Sequence, residues 1–291
     1  MVSFFYKPRT DFAFELINDN KQGYKVFSRK KNDILTTKVV IDNKYNSLNR
    51  EVGTYYSIEF ENISDKNKRI EIINELANDL RKLLKEKEFV YGDTILIVGL
   101  GNKYITADSL GPETANKIYV TNHIFEIDPD SLEKDCSRVY VLIPGVMGQT
   151  GMETSDYIKA INDKIKAKFI IVIDSLASLN IKRINKMIQI TDTGISPGSG
   201  IGNKRKGINS KTLKTNVIAI GVATVVEMSN IIYQVLEQND IKKDNKIEEF
   251  LNQSQYQLVV TPKDIDEDIM HLSEIISTSI NKSLNKNFKE L

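Results

Sequence analysis

Two aspartates are the residues best placed to do chemistry. Asp174 closes the apolar run Ile171-Val172-Ile173, and Asp108 follows the glycine-containing turn after the apolar run 94–100 and precedes Gly111-Pro112. Carboxylates brought close together cannot both ionise easily. One keeps its proton and serves as general acid while the other activates water as general base, and their titrations belong to the pair. Other readings of the same residues stay open. Asp174 suits a strand end that caps backbone N–H groups, and Asp108 suits a helix entry. With His123, at the end of the helix expected after Asp108, the two aspartates also make a possible divalent-metal site. A Ser-His-Asp triad needs His123 too, and no Gly-x-Ser-x-Gly elbow is present. His271 falls in a long amphipathic helix and reads as a surface residue.

The loops after the apolar runs hold most of the glycines. Pro144 to Glu153 follows one run, and Asp192 to Lys206 follows another. Glycine permits close backbone approach, which suits a loop that cradles a ligand and offers N–H groups to an oxyanion. Nucleotide-binding patterns are incomplete. Tyr104 stands where the third glycine of a dinucleotide fingerprint would follow Gly99-Leu100-Gly101, and Gly198 to Lys204 lacks Walker A spacing. The cluster Lys204-Arg205-Lys206 suits an acidic peptide or anion, or a solvated face.

The elements that must position these residues alternate. Strands are expected at 34–42 and 53–60, followed by a helix at about 66–87 whose apolar face is Ile70, Ile73, Leu76, Leu80, Leu83 and Leu84. Further strands are expected at 94–100, 138–143, 168–174, 186–191, 217–221 and 256–260, with helices at 113–123, 154–166, 224–238 and 264–285. Thr224-Val225-Val226-Glu227 reads as a capping box, and Thr261-Pro262 as a helix start. Continuous β-branched runs suit strands buried on both faces. The expected fold is α/β: a doubly wound, mostly parallel sheet flanked by helices, with an N-terminal extension of the same domain and a ligand crevice beyond the strands' carboxyl ends.

Composition narrows the function classes. The 291 residues carry 40 Lys+Arg against 39 Asp+Glu, a net charge of +1, so no global field argues for nucleic acid. No apolar run approaches the roughly 18 residues that span a bilayer, and Met1 to Arg9 lacks the apolar core of a secretory signal. The single cysteine, Cys136, excludes an intramolecular disulfide.

Several loops resemble those of the germination proteases. Pro144-Gly145-Val146-Met147-Gly148-Gln149-Thr150-Gly151-Met152-Glu153-Thr154 is similar to a segment of that family, as is Pro197-Gly198-Ser199-Gly200-Ile201-Gly202-Asn203-Lys204-Arg205. So are Val98 to Asn102, Thr106 to Pro112, Ile220 to Val222 with Thr224 to Val226, and Val260 to Lys263. The resemblance implies an aspartic endopeptidase that degrades small acid-soluble spore proteins during germination. It implies a homotetramer in the cytoplasm of the forespore or spore core, with a fold similar to hydrogenase maturation proteases. It requires no cofactor, metal, membrane or direct nucleic-acid contact. The family's two implicated aspartates fall on Asp108 and Asp174. Gly145, Gly148, Glu153, Lys204 and Arg205 are expected to contact the peptide. Such enzymes are made as zymogens, and Thr10-Asp11-Phe12-Ala13 resembles their cleavage site. Residues 1–11 are therefore expected to be a propeptide, cut between Asp11 and Phe12, ahead of one α/β peptidase domain at 12–291. The chain departs from the family at Ala107 and Ala223, where proline is usual, near Ser196, where histidine is usual, and at Leu179, where arginine is usual. An inactive homologue that only binds spore proteins, and a metal-assisted peptidase, stay open as alternatives.

Overall fold

The computed structural model describes residues 6, 8–18, 22–128, 135–198, 205–241, 245–252 and 258–288. Nine strands among them join one sheet: β1 (Tyr24–Lys31), β2 (Ile34–Ile41), β3 (Gly53–Glu59), β4 (Thr94–Gly99), β5 (Arg138–Leu142), β6 (Phe169–Ser178), β7 (Met187–Thr191), β8 (Asn216–Glu227) and β9 (Val259–Val260). Their order is β1-β2-β3-β7-β8-β6-β4-β5, with β9 on β8. The helices are α1 (Lys66–Glu86), α2 (Leu110–Ala115), α3 (Asn122–Ile127), α4 (Met147–Thr150), α5 (Thr154–Ile165), α6 (Ser210–Leu213), α7 (Met228–Gln238), α8 (Asn245–Asn252) and α9 (Ile265–Leu284).

The sheet is mixed rather than mostly parallel. Pairing is parallel only along β8-β6-β4-β5, and antiparallel along β1-β2-β3-β7-β8 and between β8 and β9. The cause lies in the connections. A turn through Asn32, at φ 53°, sends β1 straight back into β2, and such a short return permits only antiparallel pairing. The N-terminal strands extend the same sheet through β3 and β7.

The central strand β6 explains its continuous apolar run by serving two cores. Phe169, Ile171 and Ile173 pack with α1, α2 and α9 on one face, while Ile170 and Val172 pack with Ile158 of α5 and Leu213 of α6 on the other. Helix α1 starts at an Asp65 cap, whose carboxylate accepts the Asn67 N–H at 2.7 Å, and it buries Ile73, Leu76, Leu80, Leu83 and Leu84. Ser279 and Ser283 of α9 donate to the Ile73 and Ala77 carbonyls of α1 at 3.1 and 3.4 Å, which lets the two helices approach closely.

Several expected elements move. β1 was not anticipated, because an edge strand rich in Lys and Arg lacks the apolar alternation of a half-buried one. The strand at 168–174 continues to Ser178, since β8 supplies it with partners as far as Val226. The helix at 113–123 is broken into α2 and α3. Between them the Tyr119 N–H donates to Asn281 Oδ1 and the Thr121 N–H to the Val139 carbonyl, so the backbone leaves the helix to reach α9 and β5. Thr224 to Glu227 is strand, not a capping box. Val225 and Val226 pair with Ala177 and Ser178, and α7 begins only at Met228. The start expected at Thr261-Pro262 falls at Ile265. The strand expected at 256–260 is seen as Val259–Val260, with 256 and 257 outside the described residues.

One ion network ties the edge strand β1 to α1. Asp79, fully buried, accepts from Arg29 through both oxygens at 2.9 Å and from Lys82 at 2.9 Å, while Glu75 accepts from Arg29 at 2.8 Å and Lys31 at 3.1 Å. Breaking a buried pair from one side leaves its partner uncompensated. Arg29 is partly exposed and rehydrates, so Asp79→Ala should cost about 2–4 kcal/mol. Urea titration of the variant checks this, and an unchanged midpoint would count against the network.

Candidate active site

Asp108 and Asp174 come together beyond the carboxyl end of β4, with Asp174 one residue past the last pair of β4 with β6. Close backbone contacts set the approach. The Leu100 N–H donates to the Ile173 carbonyl at 2.8 Å, so the chain leaving β4 is fastened to the residue before Asp174. Gly111, in the first turn of α2, presses on the same place: a Cβ there would lie 2.1 Å from the Leu100 carbonyl oxygen and 2.7 Å from that of Ile173. Gly101 has φ +111°, and a Cβ there would lie 2.0 Å from the Asp108 carbonyl oxygen. The chain then turns through the 3-10 segment Thr106–Asp108, and Asp108 Oδ2 accepts the Asn102 N–H at 2.8 Å. On β6, Asp174 is 6% exposed and its Oδ1 accepts the Ser175 N–H at 3.0 Å.

Both aspartates line one crevice of about 380 Å³, together with Asp11, Gly145, Glu153 and Arg205. Burial raises the Asp174 carboxyl well above the usual range, and the charges of Asp108 and Asp11 raise it further. Burial also raises the Asp108 carboxyl, against the Asn102 N–H, which favours its ionised form. Both carboxyls therefore hold a proton more readily than an ordinary aspartate does.

The other expected residues divide. Gly145, Glu153 and Arg205 line the crevice, and Glu153 lies 3.9 Å from Arg205. Gly148 does not line it and has nothing within 4 Å of a Cβ position. Lys204 lies outside the described residues. His123 is exposed on α3 and is not part of the crevice wall. Among the described residues no three His, Cys, Asp or Glu side chains are grouped to hold a metal ion, so the His123 ligand set is not assembled.

Asp11 and Phe12 are folded into the site. The Asp11 N–H donates to the Ala177 carbonyl and the Ala177 N–H donates to Asp11 Oδ2, both at 2.9 Å. Phe12 is fully buried against Leu176, Met187 and Ala223. Two residues escaped the sequence reading. Gln189 accepts the Ala13 N–H at 2.9 Å and donates to the Asp11 carbonyl at 3.3 Å. Its signal was a lone amide inside the apolar strand Met187–Thr191. The sequence pattern around Thr224 suits a helix cap. Thr224 stands instead at a register shift of β8, where Leu176 pairs with Ala223 and Ala177 with Val225, and it lines the crevice with its hydroxyl buried and unpartnered.

In this mixed α/β scaffold the two shielded carboxylates share their crevice with Asp11 of the N-terminal segment. A sequence model described as germination protease matches residues 9–238. Germination proteases of Clostridium tetani, Clostridium acetobutylicum and Bacillus thuringiensis subsp. konkukian are 38%, 35% and 32% identical. The matches cover 95%, 95% and 96% of this chain and 95%, 94% and 94% of those proteins. The chain belongs to the germination protease family, which gives it a peptidase role in spore germination.

Proposed function

We propose that this chain is an aspartic endopeptidase that opens the degradation of small acid-soluble spore proteins, with Asp108 as general base and Asp174 as general acid. The observation that supports this most is the shared crevice, in which burial holds the proton most strongly on Asp174 while a backbone N–H favours the ionised form of Asp108. Water gives a proton to Asp108 as it attacks the peptide carbonyl, and Asp174 protonates the departing nitrogen. Gly145, Glu153 and Arg205 border the space a peptide would fill, and Lys204 and Gly148 belong to the same two loops.

On this reading residues 1–11 are a propeptide, residues 12–291 form the peptidase domain, and the zymogen cuts itself between Asp11 and Phe12. The working form is a homotetramer in the forespore or spore core, built on the fold of hydrogenase maturation proteases. No helix among the described residues is long and apolar enough to cross a membrane. Acidification of the purified chain followed by intact mass should show loss of residues 1–11, and addition of a purified spore protein should yield fragments ending in an acidic residue. A chain that binds the spore protein and leaves it whole would instead be an inactive homologue. Activity that disappears in chelator and returns with a divalent ion would sink the two-aspartate mechanism.

The pH dependence follows from the pair. The singly protonated state is the active one, so the rate rises as one proton leaves and falls as the second leaves. Because the Asp174 carboxyl is raised, the falling limb should lie well above the usual carboxyl range near pH 4. A kcat/KM that stays flat from about pH 4 to about pH 9 would contradict the assignment.

A further inference from the structure

We propose that Gln189 is the side chain that grips the peptide backbone at the bond to be cut and receives the negative charge that forms on its carbonyl oxygen. This rests on the reading above that the bond is Asp11–Phe12.

The register of the sheet places the residue. Asp174 on β6 and Gln189 on β7 are both paired with Gly221 of the intervening β8. Paired residues share a face, so the two side chains rise on one face of the sheet, about 10 Å apart at the backbone. Residues 11 to 13 run between them. Asp11 is held on the Asp174 side by its two hydrogen bonds with Ala177, and Ala13 is held on the Gln189 side. A single carboxamide thus brackets Phe12, reaching the carbonyl of the bond in question on one side and the N–H of the next peptide unit on the other. Its Oε1 accepts the Ala13 N–H at 2.9 Å and its Nε2 donates to the Asp11 carbonyl at 3.3 Å.

The orientation of that carboxamide is forced. The Ala13 N–H is a donor and can only face Oε1, which leaves Nε2 to face a carbonyl. Phe12 is fully buried in its own apolar cluster. Residues from 12 onward therefore keep their place when residues 1–11 depart, and Ala13 continues to hold Gln189 at the neighbouring cavity of about 260 Å³, which Asp11 also lines.

In the step itself, water loses a proton to Asp108 and its oxygen bonds to the Asp11 carbonyl carbon. The carbonyl π pair moves onto the oxygen, where Gln189 Nε2–H meets it. As that pair returns, the C–N bond breaks, and the Phe12 nitrogen takes the proton of Asp174. The products are an Asp11 carboxyl terminus and a Phe12 amino terminus.

The test uses the full chain with Gln189→Met, which removes both hydrogen bonds, and Gln189→Glu, which keeps the acceptor for Ala13 and loses the donor. Folding is checked by circular dichroism, and Asp174→Asn sets the zero of the rate. Release of residues 1–11 and turnover of a synthetic peptide copying residues 6–18 should both slow by about 10²-fold, in kcat rather than KM. Turnover within a few-fold of wild type in either folded variant overturns the proposal. A wild-type chain that never releases residues 1–11 refutes the cleavage reading by itself. The grip is then decided by hydrogen exchange. Exchange of the Ala13 N–H faster by about tenfold or more in Gln189→Met supports it, and unchanged exchange overturns it.

Discussion

Asp108→Asn and Asp174→Asn should each remove cleavage of a spore protein and self-processing, with a loss of about 10²- to 10⁴-fold set by the share of general acid–base catalysis. Each variant keeps the shape of the side chain and discards its titration, so the loss reports chemistry rather than packing. The two should nevertheless differ in stability. The Asp174 carboxyl is buried and its affinity for a proton is raised in the folded chain, while in the unfolded chain it is ordinary. Ionising it therefore costs folding free energy once the pH exceeds the ordinary carboxyl value, and the cost grows until the raised value is passed. Asp174→Asn is spared that cost. Its Tm should exceed that of wild type at neutral pH by a few degrees, a kilocalorie being worth about 2–4 °C in chains approaching this length. The gap should close as the pH falls below the ordinary carboxyl range. A dead variant that is also less stable at every pH would mean that Asp174 serves the fold and not the reaction. Robust turnover by either variant would remove the pair from the mechanism.

The second large effect is expected at Gly111→Ala. A methyl group there meets the Leu100 nitrogen and oxygen at 2.5 and 2.1 Å and the Ile173 carbonyl oxygen at 2.7 Å. All three are backbone atoms, so no side chain can swing aside. The start of α2 must move away from β4 and β6, and Asp108 moves with it relative to Asp174. Overpacking of this kind costs about 1–3 kcal/mol or more, and a displacement of about 1 Å at the reacting groups costs about 10²-fold in rate. Gly148→Ala supplies the contrast, since nothing lies within 4 Å of its Cβ position. It should match wild type in melting temperature and in kcat/KM. Equal activity in the two variants would show that the contact of α2 with the strand ends does not set the site.

Much of this protein was legible before folding was considered. The run Phe169–Ile173 has no polar residue, which suits a strand covered on both faces, and β6 is that strand. The spacing of Leu76, Leu80, Leu83 and Leu84 fixes the buried face of α1 whatever it packs against. Asp174 stands out because it ends a buried apolar run, and Asp108 because it follows a glycine-containing turn ahead of a helix. Local pattern was less able to tell a capping box from a bulged strand at Thr224 to Glu227. Those residues satisfy both rules, and only the ladders to β6 and β9 decide between them. The direction of β7 was equally hidden, because a strand's own residues do not record whether its neighbours run with it or against it. The same holds for the site. Sequence supplied the two aspartates, glycines small enough to let loops close, and a lone glutamine within an apolar strand. The sheet register brought Gln189 and Asp174 to opposite sides of Gly221 and laid Asp11 between them. Residue type follows from local burial and chemistry, whereas juxtaposition across strands far apart in the chain is fixed only when the hydrogen-bond ladders close.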